Sequence, residues 1–207
     1  MNNLLVLGLL VFIEIPSSQD FHIVFLNKKE DKAVLPEDAI KKLMNAHMAN
    51  INRLAKEGKL WAAGPFDGGG GIFFFKSPSP DEVKSWLMTD SAVAAGRWNV
   101  EIFPYQPRTG SVCAGEETAP MVNYFFVRYR LARRDKDQAE NHLRYLREQA
   151  QATVAEAGLG EENGCMLVLR EEPSTDWIQN DPAVKSGSLI AEVKKLWIAK
   201  GSFCEPK

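Results

Sequence analysis

Net charge of either sign is nearly missing from this sequence. Its 25 Lys and Arg stand against 27 Asp and Glu, a balance of −2 over 207 residues. It therefore lacks the basic footprint that a phosphate backbone selects, and no nucleic-acid partner is expected. The one dense basic stretch, RYRLARRDK at 128–136, has acids nearby and reads as a solvated strand end and turn. Cysteine is scarce: three residues, an odd number, cannot make a disulfide framework. The GGGG run at 68–71 is not followed by Lys-Ser/Thr and a helix, so it is no phosphate loop. Nor does any His/Cys/Asp/Glu cluster show metal-ligand spacing, and one His with one Asp is too few for a zinc site. Neither metal nor cofactor is expected.

Long apolar runs are also short in supply. The longest, Leu4 to Ile13, is too brief to span a bilayer and has the length of a signal-peptide apolar region. Residues 1–19 are therefore expected to be a signal peptide, the protein exported, and nothing left to hold a membrane after its removal. Three features oppose this. No Lys or Arg precedes the run, Glu14 ends it, and Ser18–Gln19 is not an A-x-A cleavage site. The alternative is a cytoplasmic protein with a buried N-terminal strand or a wrongly assigned start.

What the chain does have is a repeat. WLMTDSAVAAG (86–96) returns as WIQNDPAVKSG (177–187), with Trp, Asp, Ala, Val and Gly each displaced by 91 residues. Missing a repeat mis-assigns the fold, so this sets the reading. Hydrophobic residues at 45% suit a globular chain, and 207 residues make two small domains comfortably. The first unit spans 20–106. FHIVFL reads as a strand, LPEDAIKKLMNAHMANINRLAKEG as a helix, and KLWAAG and GIFFFK as strands. SPDEVKSWLMTD is a second helix, with Ser79 as N-cap and Pro80 next, and RWNVEIFPY is a closing strand. Residues 107–120 have linker composition. The second unit, 121–204, repeats the order less clearly.

The β-α-β-β-α-β order is ferredoxin-like. Such a unit covers one sheet face with helices and leaves the other bare. Two units packed sheet to sheet would solve this within one chain, giving an intramolecular α+β barrel and a monomer by default. Cys113 and Cys204 are equivalent repeat positions, which in an oxidising compartment could pair or could lie far apart. Cys165, in an apolar strand, reads as a small buried hydrophobe.

Histidine is rare as well, with three in all. On the first long helix, Ile40, Leu43, Met44, Ile51 and Leu54 fall within about 60° of His47 at ~100° per residue. His47 thus occupies the centre of an apolar stripe, where a polar group must find a partner. It is either a core histidine bonded to a backbone carbonyl or half of a functional pair. The second helix carries His142 at its stripe's edge. Each His is followed by the repeated Asp, Asp90 or Asp181. That Asp could fix the imidazole tautomer and raise its basicity, or merely cap a turn before the last strand.

The run H-x-x-x-I-x-x-L-x-x-x-G, then A-G-P-F-D-G-G-G-G, then D-S-A-V-A-A-G-x-x-x-V-E-I-F-P-Y resembles the YCII-related proteins. The likeness covers nearly all of 20–106 and, more loosely, 121–200. Ser91 replaces the usual Pro after the Asp, whereas Asp181-Pro182 keeps it. The resemblance implies a dimeric α+β-barrel fold and a His–Asp pair in a pocket. It carries over to His47 and Asp90 and, as a weaker site, to His142 and Asp181. It also points to Gly64 and Pro65 as pocket residues. Trp61, Phe73, Phe75 and Trp98 could line the pocket or simply fill the core. Some members of the family resemble small-molecule lyases and isomerases, and many have no known substrate. Two functions follow as expectations: a His–Asp acid–base enzyme acting on a small molecule, or a non-catalytic ligand-binding or interaction module of the same fold.

Overall fold

The computed structural model describes residues 20–116, 118–149 and 152–204. The expected signal segment, 1–19, lies outside them. The chain runs β1 (Phe21–Lys28), α1 (Glu37–Lys56), β2 (Leu60–Pro65), β3 (Gly71–Lys76), α2 (Pro80–Leu87), α3 (Ser91–Ala94) and β4 (Trp98–Pro104). Two short strands follow, β5 (Gln106–Thr109) and β6 (Ser111–Val112). The second unit is β7 (Met121–Leu131), α4 (Lys136–Glu148), β8 (Thr153–Gly158), β9 (Cys165–Leu169), α5 (Thr175–Asn180), α6 (Pro182–Lys185) and β10 (Leu189–Ala199), with β11 (Phe203–Cys204) at the end.

Both units build antiparallel sheets of the same order. The first is β2-β3-β1-β4 and the second β8-β9-β7-β10, with β5 added outside β8. β1 shows why the sheets must stack. Six consecutive residues, Phe21 to Leu26, are buried, so both its faces are covered. Ile23 and Phe25 point into a core shared with Phe126, Met166 and Leu196 of the second unit. Val24 and Leu26 point the other way, to Leu54 of α1 and Val83 and Leu87 of α2. A third core beneath α4 and α5 holds Val127, Tyr129, Leu167 and Trp177. The result is two ferredoxin-like units joined sheet to sheet as an α+β barrel within one chain.

Two seams close the barrel. At one, Phe66 bridges Leu196 and the Asp67 N–H donates to the Lys195 carbonyl at 3.0 Å. Gly64 permits this approach, since a Cβ there would lie 2.6 Å from the Trp197 carbonyl oxygen. At the other, β5 leaves the first unit and pairs with β8 of the second. The segment expected to be a linker is thus partly a sheet edge, because β8 would otherwise offer unpaired backbone groups. β6 pairs with β11, and beside them Cys113 and Cys204 form a disulfide with a Cα separation of 5.6 Å.

Local signals set the helices. Ser79 accepts the Glu82 N–H and Pro80 opens α2; Glu37 and Asp38 occupy the first turn of α1. The α1 stripe is less buried than its periodicity implies. His47, Asn50 and Leu54 are buried, whereas Ile40 and Met44 are each 38% exposed. Only the later turns of the helix lie over the sheet core.

Candidate functional site

The histidine pairs lie on the outer, helix-covered face of each sheet. In the first unit, α1 presents His47 and the turn between α2 and α3 presents Asp90. The imidazole Nδ1 and Asp90 Oδ2 are 2.7 Å apart, and both side chains are buried. Asp90 divides its work between its oxygens. Oδ1 accepts the Ala92 and Val93 N–H groups at 2.9 and 3.1 Å and caps α3, while Oδ2 faces the histidine. Capping and histidine pairing, alternatives in the sequence, are met by the same carboxylate.

Burial alone would raise the Asp90 pKa. The His47 hydrogen bond and charge, together with the two backbone N–H groups, outweigh it and hold the carboxyl below its ordinary value. An ionised Asp90 acceptor places a proton on Nδ1 and leaves Nε2 to act as acid or base. Among the described residues no protein atom is hydrogen-bonded to this Nε2. The ring lies 5.0 Å from Trp98 and 6.0 Å from Phe73, centroid to centroid. Asn50 adds a longer contact to Asp90 Oδ2 at 3.5 Å, and its carbonyl accepts from Arg53 and Thr89. Asn50 was legible one turn beyond His47 on the same stripe, although a sequence reading built on apolar residues passes over it.

The second pair is not looser. His142 Nδ1 and Asp181 Oδ2 are 2.6 Å apart, and Asp181 Oδ1 accepts the Ala183 N–H at 2.9 Å to cap α6. His142 is as buried as His47, because Tyr129 packs edge-on against it at 4.7 Å. Its position at the edge of the stripe turns the ring toward β9, where Nε2 meets Cys165 Sγ at 3.3 Å. Cys165 is buried, as its apolar run implies, but its sulfur has a partner that composition could not reveal.

A cavity of about 160 Å³ opens at this second pair. His142 and Cys165 line it, with Leu143, Leu189, Arg108 and Arg133. The other residues expected near a substrate are dispersed. Phe73 stands beside His47, while Trp61 lines a separate hollow of about 320 Å³ with Ile51, Lys56 and Ala199. Gly64 sits in the barrel seam, and Pro65 is exposed at the end of β2. Sheet register aligns the two units here: Gly64 pairs with Ile72 as Ala157 pairs with Met166, so Gly64 corresponds to Ala157.

Comparison with known proteins follows this division. Residues 21–106, the first unit, match the YCII-related domain. No curated protein matches the chain. Among solved structures, a candidate chlorite dismutase is similar at 12% identity with a TM-score of 0.50, over 88% of this chain and 95% of that one. An anthrone oxidase-like protein is 11% identical with a TM-score of 0.46, covering 89% and 94%. A heme-binding protein from Thermus thermophilus is 13% identical at 0.43, covering 87% and 90%. At these identities the likeness is one of fold, and the first of the three carries it.

Proposed function

We propose that the chain is a tandem pair of YCII-like units and that its first unit is a small-molecule acid–base site, of the lyase or isomerase kind. His47 exchanges a proton with carbon or oxygen of the substrate through Nε2, while Asp90 holds the opposite nitrogen protonated. The observation that carries this reading is the buried 2.7 Å contact between His47 Nδ1 and Asp90 Oδ2, with the second Asp90 oxygen tied to two backbone N–H groups. A carboxylate so anchored cannot swing away, so the imidazole keeps one tautomer and one orientation. Phe73 and Trp98 give the ring an apolar setting. His142 and Asp181 repeat the arrangement and support a common origin for the two units.

The test uses the full chain with small lactones and unsaturated acids in deuterated water, read by NMR for deuterium gained at carbon. Exchange that disappears in His47→Gln and Asp90→Asn, with melting temperature nearly unchanged, supports the reading. A His47→Leu variant that is more stable and exchanges as before makes His47 a structural residue. The alternative is a ligand-binding or interaction module without catalysis. It is favoured by the filled barrel interior, where Phe25, Phe74, Tyr105 and Phe126 occupy the space between the sheets.

Export belongs to the same proposal. It rests on the apolar run from Leu4 to Ile13 and on the Cys113–Cys204 bridge, which persists in oxidising compartments.

A further inference from the structure

Cys165 is the only cysteine outside the disulfide, and it is buried against a histidine rather than among apolar side chains alone. The chain of contacts is continuous: Asp181 Oδ2 to His142 Nδ1 at 2.6 Å, and His142 Nε2 to Cys165 Sγ at 3.3 Å. Nucleophile, base and orienting carboxylate thus stand in the order that activates a thiol. Sulfur and imidazole both face the cavity of about 160 Å³. At ~30 Å³ per water, that is room for about five waters, or for one small acyl group.

The sulfur is peculiar to the second unit. Glu101 pairs with Phe25 as Glu192 pairs with Arg128, which aligns the two sheets. In that alignment Cys165, opposite Tyr129, falls where the first unit has Gly71, opposite Leu26. The first unit therefore carries a His–Asp pair and the second a Cys–His–Asp triad. Tyr129 adds a buried hydroxyl with no hydrogen-bond partner among the described residues, on the ring that packs against His142. Burial, then the nearby Asp181 and Cys165, push its pKa up, so it remains a donor.

We infer that the second unit holds a nucleophilic thiol site, with Cys165 as nucleophile, His142 as its acid and base, and Asp181 as positioning residue, acting on small acyl esters or thioesters. The Cys165 thiolate attacks the carbonyl carbon, and the bond to the leaving oxygen or sulfur breaks. That atom takes the proton from His142 Nε2, leaving an acyl thioester on Cys165. Water then gives a proton to His142 Nε2 as its oxygen attacks the thioester carbon. The carbon–sulfur bond breaks, and the acid departs with the thiolate restored. Ester and water become acid and alcohol, with no oxidant or reductant. Peroxide reduction would need a resolving thiol or an outside reductant, and the other two cysteines are bound to each other. This inference goes beyond the proton-transfer reading of the first unit. A His47→Gln variant that loses carbon exchange leaves it standing, and so does failure of that exchange in the native chain.

Two measurements on the intact oxidised chain test it. Iodoacetamide is small enough for the cavity and reports on Cys165 alone while the disulfide holds. At pH 6 its rate should exceed that of a free-cysteine peptide at least tenfold, since alkylation needs the thiolate. At pH 6 the rate should fall at least tenfold in His142→Gln. With 4-nitrophenyl acetate, a burst of nitrophenolate should accompany an acetyl group on Cys165 by peptide mass spectrometry, and both should vanish in Cys165→Ala. The comparison with the peptide needs no variant, so it stands even if His142→Gln fails to fold. A rate at pH 6 no faster than that of the peptide, no alkylation of the folded chain, or acetylation elsewhere with the burst intact in Cys165→Ala overturns the inference.

Discussion

Arg128 of β7 grips Glu101 of β4 across the barrel, Nη1 to Oε2 at 2.8 Å and Nη2 to Oε1 at 3.2 Å. The guanidinium also lies 4.0 Å from the Phe25 ring centroid, and Asn27 donates to the same carboxylate at 2.6 Å. Arg128 is buried, so its charge depends on this partner for neutralisation. The pair joins the two sheets, with the buried guanidinium reaching a part-exposed carboxylate.

Glu101→Gln should therefore destabilise the chain by about 1–3 kcal/mol, the range for a lost hydrogen bond to a charged group. Arg128 first, with Asn27 and despite partial burial, holds the Glu101 carboxyl below its ordinary value. A folded pKa that is depressed contributes stability above the unfolded value, near 4.3, and loses it as pH falls through the folded one. Urea midpoints of the native chain and of Glu101→Gln, followed by circular dichroism at several pH values, should converge as pH falls. A gap that persists unchanged below pH 3 would assign the effect to packing instead.

Gly64→Ala tests the seam. The added Cβ would meet the Trp197 carbonyl oxygen at 2.6 Å, with Ile198 and Leu196 carbons at 3.0 Å. Backbone on the partner strand cannot rotate aside as a side chain can. A loss of about 1–3 kcal/mol is expected, by urea unfolding, as for other overpacked positions. The same substitution should leave the 2.7 Å His47–Asp90 contact in place, since that pair lies on the opposite face of the sheet.

The Cys113–Cys204 bridge, on which the proposed export rests, predicts one reactive thiol in the unfolded, unreduced protein and three after reduction. The bridge closes a loop with a sequence separation of 91 residues, so its loss should cost about 2–4 kcal/mol. Intact mass of protein from the native host should also lack roughly the first 19 residues, in keeping with the usual length of a signal peptide. A full-length product with three free thiols would remove the case for an oxidising compartment.

The sequence showed the architecture because repetition and periodicity are local. The 91-residue offset and the two runs of alternating elements required no contact information. The pairing of His47 with Asp90 was also within reach, since a polar residue on an apolar stripe demands a partner. The second site was less visible. His142 looked peripheral from α4 alone, but its depth depends on Tyr129, 13 positions earlier in the chain, and its second partner is on β9. Cys165 sits in an apolar strand, where composition favours a buried hydrophobe. Only the register of β7 against β9 brings its sulfur beneath α4. Likewise β5 from Pro107 onward looked like a linker, because residues 107–109 have no apolar alternation and gain their strand identity from β8.

His142 should make the chain sensitive to alkaline pH. Burial disfavours its charged form, but the hydrogen bonds and charges of Asp181 and Cys165 outweigh this and raise its pKa to about 9. The groups around it are Asp181, Cys165 and Tyr129, with Arg108, Arg133, Asp135 and Glu161 on the cavity wall. A histidine pKa raised above its unfolded value of about 6.5 contributes stability that is complete below that pH and lost as pH climbs through 9. The loss between pH 6.5 and 9 should approach about 3 kcal/mol, at roughly 1.4 kcal/mol per unit. Urea midpoints at pH 6, 7.5 and 9 should decline in the native chain and stay nearly level in His142→Gln. Cys165→Ala leaves Asp181 as the main partner, so its decline should begin at lower pH. A native chain equally stable at pH 6 and 9 would mean that His142 is neutral throughout and that its bond to Cys165 joins uncharged groups.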